Sequence, residues 1–500
     1  MTLFDPEALA RIVCEKSVWL SGLYVLDDGL MPAVIVATAD PELFDVTVYN
    51  YSFIGFGDEQ FFAYERLIWP VGADHVYSYF VVDETNLELQ STISLDDLDG
   101  DLSDLTSDDI EDIVQVLAPL LQPLVPVDGS GRPTGELQEM AAYTIPRFEM
   151  RAFRKSGQDP VALRRYANMA RLVGCTTISE IGGDPITTDA HVDKWLGAGA
   201  TDGFPSRLVP YFGAGAGWTG GVSEGVEWVA PLATRSTDMV EFGLVKIVLD
   251  GSIQGYTARL RPPGYLPHPD GSPRDNGIWL LSPEAFAERF FAFHAAGITV
   301  HTHVNGDEAT ELLVETAEEA VRARPWSDHR HTAQHSQLTT REQYRRMAAI
   351  GMNANIFVNH ISYWGDQHAA LTVGPDRAAR MDGCATADAE GVRYSIHCDA
   401  SVTPLGCLHT MWAAVNRVTS SGVVLGPDER ISAERALRAV TIDAAHQMRM
   451  EDRIGSITPG KFADFVALAA DPLEVEPMTI RDIEVRGTVV GGAVTEALAT

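Results

Sequence analysis

Four short runs of this chain hold titratable side chains that could act together. The first is LVKIVLDGS, where Lys246 lies inside an apolar stretch that reads as a strand. A charged amine is costly to bury without a partner. With its pKa lowered it could serve as a base or Schiff-base nucleophile, or be carboxylated and bridge metal ions. A plain salt bridge to Asp250 would also account for it. The second run is HTHVNGDEAT, residues 301–310. His301 and His303 share a face by the two-residue period of a strand. Neutral imidazoles at a strand end are good zinc ligands. Either one could instead stand behind the ligands or be a satisfied core group. The third run, DHRHTAQHSQL, brings His335 to the close of a short strand, while His329 and His331 read as surface or packing residues. In the fourth, YSIHCDASVTP, Asp399 follows a strand and could bind metal and take a proton from water. Alone, it could equally cap a turn.

Each run has a structural explanation when taken singly. Lys, His, His and Asp in that order, each at a strand end, have one common explanation in a metal site. A bound ion there would lower the pKa of water towards neutrality.

The elements that must position these groups are legible from about residue 131 onward. Strands are predicted at Cys175–Glu180, Arg207–Phe212, Leu244–Leu249, Thr299–His303, Thr332–His335, Met352–Phe357 and Tyr394–Cys398. Helices with apolar residues at three- and four-residue spacing are predicted at Pro283–Ala296, Glu308–Ala323 and Thr340–Ile350. Such alternation argues for βαβ units and a parallel sheet. No G-x-G-x-x-G follows an early strand, so a dinucleotide-binding sheet lacks its phosphate cradle. In a (β/α)₈-barrel the strand ends carrying Lys, His and Asp converge on one site. After about residue 450 the chain changes character. Ile454–Ala469 and Ile483–Thr495 carry Gly, Pro and alternating apolar residues, as a small antiparallel β-element does. Before residue 131, Pro32–Thr38 and His75–Val82 are strand candidates of unclear order. The expected division is a divergent N-terminal part of the barrel domain at 1–130, the barrel at 131–450 and a C-terminal β-segment at 451–500.

Composition narrows the function classes. With 45% hydrophobic and 21% charged residues, the chain of 500 reads as globular. A net charge of −33 disfavours nucleic-acid partners. No apolar run has membrane-spanning length, and the N-terminus lacks a secretory pattern, so a cytoplasmic protein without a membrane partner is expected. The acidic stretch Leu95–Asp112 reads as a solvated loop and helix start; the calcium-loop pattern is absent. Five scattered cysteines with no C-x-x-C pair read as reduced thiols, which excludes a finger-type zinc site. A small-molecule substrate is the expected partner, and assembly of identical copies stays open.

Several longer runs resemble the amidohydrolase superfamily, in particular the amidohydrolase-3 group that includes N-substituted formamide deformylases. They are GRPTGELQE (131–139), VGCTTISE (173–180), VKIVLDGSIQGYTA (245–258), HVNGDEA (303–309), QHSQL (334–338), HCDASVTPLG (397–406), ISAERALRAVTIDAAH (431–446) and GSITPGKFADFVAL (455–468). The resemblance covers about residues 131–500. It implies a TIM-type barrel with a small C-terminal β-sandwich segment. It also implies metal-dependent hydrolysis of a non-peptide C–N bond, an amide or formamide. Carried over, it makes Lys246, His303, His335 and Asp399 the metal residues and Asp399 the general base. His397, His301 and Asp307 would lie behind the ligands or towards substrate. The family's first-strand His-x-His has no counterpart, since the one histidine before residue 191 is His75. One divalent ion, zinc by preference, is therefore expected rather than two. The competing expectations are a barrel with a degraded metal site acting as a binding protein, and a lyase or isomerase on the same scaffold.

Overall fold

The computed structural model describes residues 19–26, 29–36, 45–56, 59–70, 160–181, 186–215, 220–269 and 271–496. The chain divides into two compact units, Met1–Gly157 and Gln158–Thr500.

In the first unit, β1 (Trp19–Leu26) pairs antiparallel with β2 (Gly29–Val36), and β3 (Asp45–Phe56) with β4 (Glu59–Pro70). The sequence of β3, DVTVYNYSFIGF, is rich in β-branched and aromatic residues that suit a pleated surface. The ladder of β3 with β4 runs from Asp45 opposite Pro70 to Phe56 opposite Glu59. The strand expected at Pro32–Thr38 overlaps β2. The one expected at His75–Val82 and the acidic stretch Leu95–Asp112 lie outside the described residues.

The second unit alternates strands and helices. Its strands are β5 (Thr177–Glu180), β6 (Arg207–Pro210), β7 (Phe212–Gly213), β8 (Val245–Val248), β9 (Val300–Val304), β10 (Thr332–His335), β11 (Asn353–Ile356) and β12 (Tyr394–Ile396). Every ladder among them is parallel and joins sequence neighbours: β5 to β6, then β7 through β12 in order. β6 and β7 are halves of one strand that changes partner at Tyr211. The Tyr211 N–H donates to the Glu180 carbonyl, and the next N–H, of Phe212, to that of Leu244. Sequential parallel order is the order of a singly wound (β/α)-barrel, whereas a doubly wound sheet reverses direction at its centre. Among the described residues no ladder joins β12 back to β5. The two ends nevertheless meet, because Cys175 before β5 touches Cys407 after β12.

Local chemistry sets the helix limits. Ser282 caps Pro283–Ala295 by accepting from the Ala285 N–H. Phe286, Phe290 and Phe293, four and three residues apart, put one fully buried face of that helix on the sheet. Thr340 and Gln343 form a reciprocal cap for Arg341–Ile350. That helix ends on Gly351 at φ 78°, a backbone region a side chain rarely adopts.

The last stretch forms an antiparallel sheet of β13 (Phe465–Leu468), β14 (Val485–Val490) and β15 (Ala493–Glu496). A buried ion pair ties it to the barrel. Arg207 of β6 grips Asp464 with Nε–Oδ2 at 2.6 Å and Nη2–Oδ1 at 2.8 Å. No helix among the described residues is long and apolar enough to cross a membrane.

Candidate metal centre

His303 and His335 lie at the carboxyl ends of β9 and β10, and His397 and Asp399 follow β12, while Lys246 lies within β8. His303 lies opposite both Val248 and Gln334 in the register, and His335 is the last residue of β10. At these ends the backbone turns sharply. His335, Ser336 and Asp399 have φ of 74°, 52° and 51°, the left-handed region that is uncommon for residues with a side chain. Such conformations cost about 1–3 kcal/mol each and persist where surrounding structure enforces them, often at functional sites.

His335 Nδ1 lies 3.1 Å from His397 Nε2 and 3.8 Å from Asp399 Oδ2. One ligand atom from each of these three residues falls within 4.8 Å of the others. The His303 ring stands edge-on to that of His335, with centroids 4.4 Å apart. Its Nε2 faces the Gly251 carbonyl at 3.1 Å and the Asn305 amide at 3.0 Å. His303 therefore joins the cluster by ring contact, and ligation through Nε2 would displace these bonds.

Burial keeps the imidazoles neutral. It pushes His303 down to about 3 and His397 to about 3, helped in both by the Lys246 charge. His335 is held well below the ordinary histidine value, first by burial and then by His303 and Lys246. A neutral imidazole offers the lone pair that a metal needs. Burial raises Asp399 above the usual carboxylate value against the pull of Lys246. Lys246 itself, 4% exposed, is brought down to about 8 by burial and partly restored by Asp399, Glu180 and Asp250.

The simple ion pair between Lys246 and Asp250 is not what chiefly occupies Asp250. Its Oδ1 accepts from the Asn305 N–H, and its Oδ2 from the N–H groups of Arg259 and Gly306. Asp250 thus organises the loops that seat His303. Gly306 is required there, because a Cβ would come 1.8 Å from the Arg259 carbonyl oxygen.

Two residues expected behind the ligands or towards substrate stand apart from the cluster. His301 pairs in register with Lys246, one layer deeper in the barrel. It contacts Gln334, the Gln447 carbonyl and the edge of Tyr211. Asp307 opens the helix Asp307–Ala323 and accepts from the Arg261 N–H at 2.9 Å, fixing a loop. His397 lies nearer the centre than its expected place behind the ligands, since it is one of the three groups that could hold an ion. Glu180, at the end of β5, is a carboxylate that sequence reasoning passed over. The strand-end rule that singled out Asp399 applies to it equally.

Two neutral imidazoles and a carboxylate are a donor set suited to a divalent cation of the zinc type, with a coordination position left for water. The residues fit a metal.

The model of the amidohydrolase family matches residues 125–495. Protein LONG AFTER FAR-RED 3 of Arabidopsis thaliana is 26% identical over 371 residues, which cover 73% of this chain and 61% of that protein. The N-substituted formamide deformylase of Arthrobacter pascens is 25% identical over 367 residues, covering 73% of this chain and 66% of its own length. The chain thus spans less than two thirds of these relatives. A metal-dependent hydrolase structure from Pyrococcus horikoshii superposes with a TM-score of 0.55 at 18% identity, covering 72% of this chain and 70% of that one. One from Pyrococcus furiosus gives 0.53 at 20%, covering 71% and 69%.

Proposed function

This chain belongs to the amidohydrolase family, and from that premise we propose that it hydrolyses a non-peptide C–N bond, an amide or formamide, in a small molecule. The observation that carries the reading is the meeting of His335, His397 and Asp399 at the barrel's strand ends. The formamide deformylase among its relatives supports the choice of bond.

His335 and His397 would hold one divalent ion, zinc by preference, together with Asp399. His303 and a carboxylated Lys246 are the further groups in reach, because an ammonium has no lone pair to give. The ion, when bound, supplies Lewis acidity that activates water and polarises the carbonyl. The protein's own work is proton handling and charge balance. Asp399 accepts the proton of the attacking water and returns it to the departing nitrogen. Its raised pKa brings it closer to a working pH, where such transfer is efficient. In its uncarboxylated form Lys246 places a positive charge beside Asp399 and adds to the burial that keeps the imidazoles neutral. Substrate and ion are the only partners in this reading, which assigns no role to nucleic acid or membrane and takes the cytoplasm as the setting.

The test is release of formate or amine from a panel of N-substituted formamides and simple amides, with and without a chelator. Turnover that chelation removes and zinc restores is the expected result. A metal-free protein that turns over nothing would favour a binding barrel instead, and an eliminated or rearranged product a lyase or isomerase.

A further inference from the structure

Beside the metal centre, but outside it, two thiols face each other across the join between the ends of the strand row. Cys175 precedes β5 and Cys407 opens the helix Cys407–Asn416 after β12, with their sulfurs 3.4 Å apart. We propose that Cys175 and Cys407 are an oxidisable thiol pair, which hydrogen peroxide converts to a reversible disulfide that clasps the ends of the barrel.

The two sulfurs are placed for unequal roles. Cys407 is partly exposed and Cys175 is buried. Cys407 is also the first residue of a ten-residue helix, where the unpaired backbone N–H groups favour a thiolate. The Cys175 thiol adds a hydrogen bond that draws Cys407 below the ordinary thiol value, and the same bond and burial push Cys175 well above it. The reachable sulfur is thus the nucleophile and the sheltered one its resolving partner. In the first step the Cys407 thiolate attacks one peroxide oxygen, the O–O bond breaks, and a sulfenic acid and hydroxide form. In the second, the Cys175 sulfur attacks the Cys407 sulfur. The S–O bond breaks, the Cys175 proton leaves with the departing oxygen as water, and the S–S bond forms. Peroxide is reduced by two electrons and the two thiols are oxidised by the same two.

The consequence is mechanical. Among the described residues no β-ladder links β12 to β5, so this contact is where the row of strands meets itself. Seven residues separate Asp399 from Cys407, so a covalent clasp would tether the segment that carries the carboxylate. The pair is not part of the donor set, so its oxidation can be read whether or not the protein turns over a formamide.

The full chain would be treated with stoichiometric hydrogen peroxide, alkylated and digested without reductant, and its linked peptides identified by mass spectrometry. The expected result is one cross-link between the Cys175 and Cys407 peptides, reversed by dithiothreitol. The Cys175→Ser protein should give no cross-link and a Cys407 sulfenic acid that dimedone traps, whereas Cys407→Ser should give neither. Peroxide that leaves both peptides unlinked in the unsubstituted protein, or a link through Cys398 instead, overturns the assignment.

Discussion

At the scale of single residues, the proposal rests most heavily on Asp399. Asp399→Asn keeps the size of the side chain and removes its ability to accept a proton. Turnover should fall about 10²–10⁴-fold, the usual range for a lost general base, while circular dichroism and the melting temperature in chelator stay near those of the parent. Activity at the parental level in that variant would remove Asp399 from the mechanism. His335 and Asp399 stood out in the sequence because one closes and the other follows a short predicted strand. His397 was less visible. It adjoins Asp399 in sequence, and only the turn at positive φ shows that its Nε2 faces His335. His301 was expected behind the ligands or towards substrate, and its depth is what the sequence does not show. The two-residue period gives a residue's face but not its depth along the barrel axis, and His301 lies a layer below His303. Asp307, given the same expectation, stands at a helix start and accepts from the Arg261 N–H, a role a carboxylate there can serve for its own loop.

At the scale of elements, two joints should control stability. The Arg207–Asp464 pair fixes the C-terminal sheet to β6, with side chains 1% and 5% exposed. Arg207→Ala would strand a buried carboxylate. The expected cost is about 3–5 kcal/mol, read from the chemical denaturation midpoint, against much less for replacing both partners with apolar residues. A second joint is the histidine chain beneath the barrel. His331 Nδ1 accepts from the Val300 N–H, so its Nε2 proton goes to His294 Nδ1, and His294 Nε2 donates to the Arg324 carbonyl. Every ring position is used by the neutral form. Burial accordingly holds His331 well below, and His329 below, the ordinary value near 6.5. The unfolded chain takes up protons near that value and the folded chain does not. Stability is therefore fully present above about pH 6.5 and falls as pH drops below it. Asp382, Glu241, Asp307 and Asp399, each raised by desolvation, work the other way, but the lowered imidazoles outnumber them. Urea midpoints in chelator at pH 8 and pH 5.5 check this, and equal values would refute it. Strand limits were legible because parallel strands covered on both faces read as short apolar runs between helical periods. The order of the first unit's hairpins was not, since alternating apolar residues show that a strand exists but not its partner.

At the scale of the whole molecule, the question is how many ions the chain holds. A paired site needs two sets of donors. Among the described residues one group of His, Cys, Asp and Glu side chains is arranged to hold a metal: His335, His397 and Asp399. His303 is beside it, with Nε2 already engaged by Gly251 and Asn305. Lys246 could bridge a second ion only after carboxylation, and its lowered pKa makes the neutral amine that this reaction needs more available. Even so, a bridging group without further ligands makes no cage. The sequence has no His-x-His upstream, and Asp74 and His75, the nearest candidates there, lie outside the described residues. We therefore expect one tightly held ion per chain by elemental analysis. An ion that binds the folded site and not the unfolded chain stabilises the fold, so zinc at about 100 times its dissociation constant should add about 2.7 kcal/mol to the stability of the stripped protein. Asp399→Asn should reduce that gain, since it removes a charged donor. Two ions retained at full occupancy after dialysis would overturn the single-site reading and direct attention to Asp74 and His75 as the missing ligands.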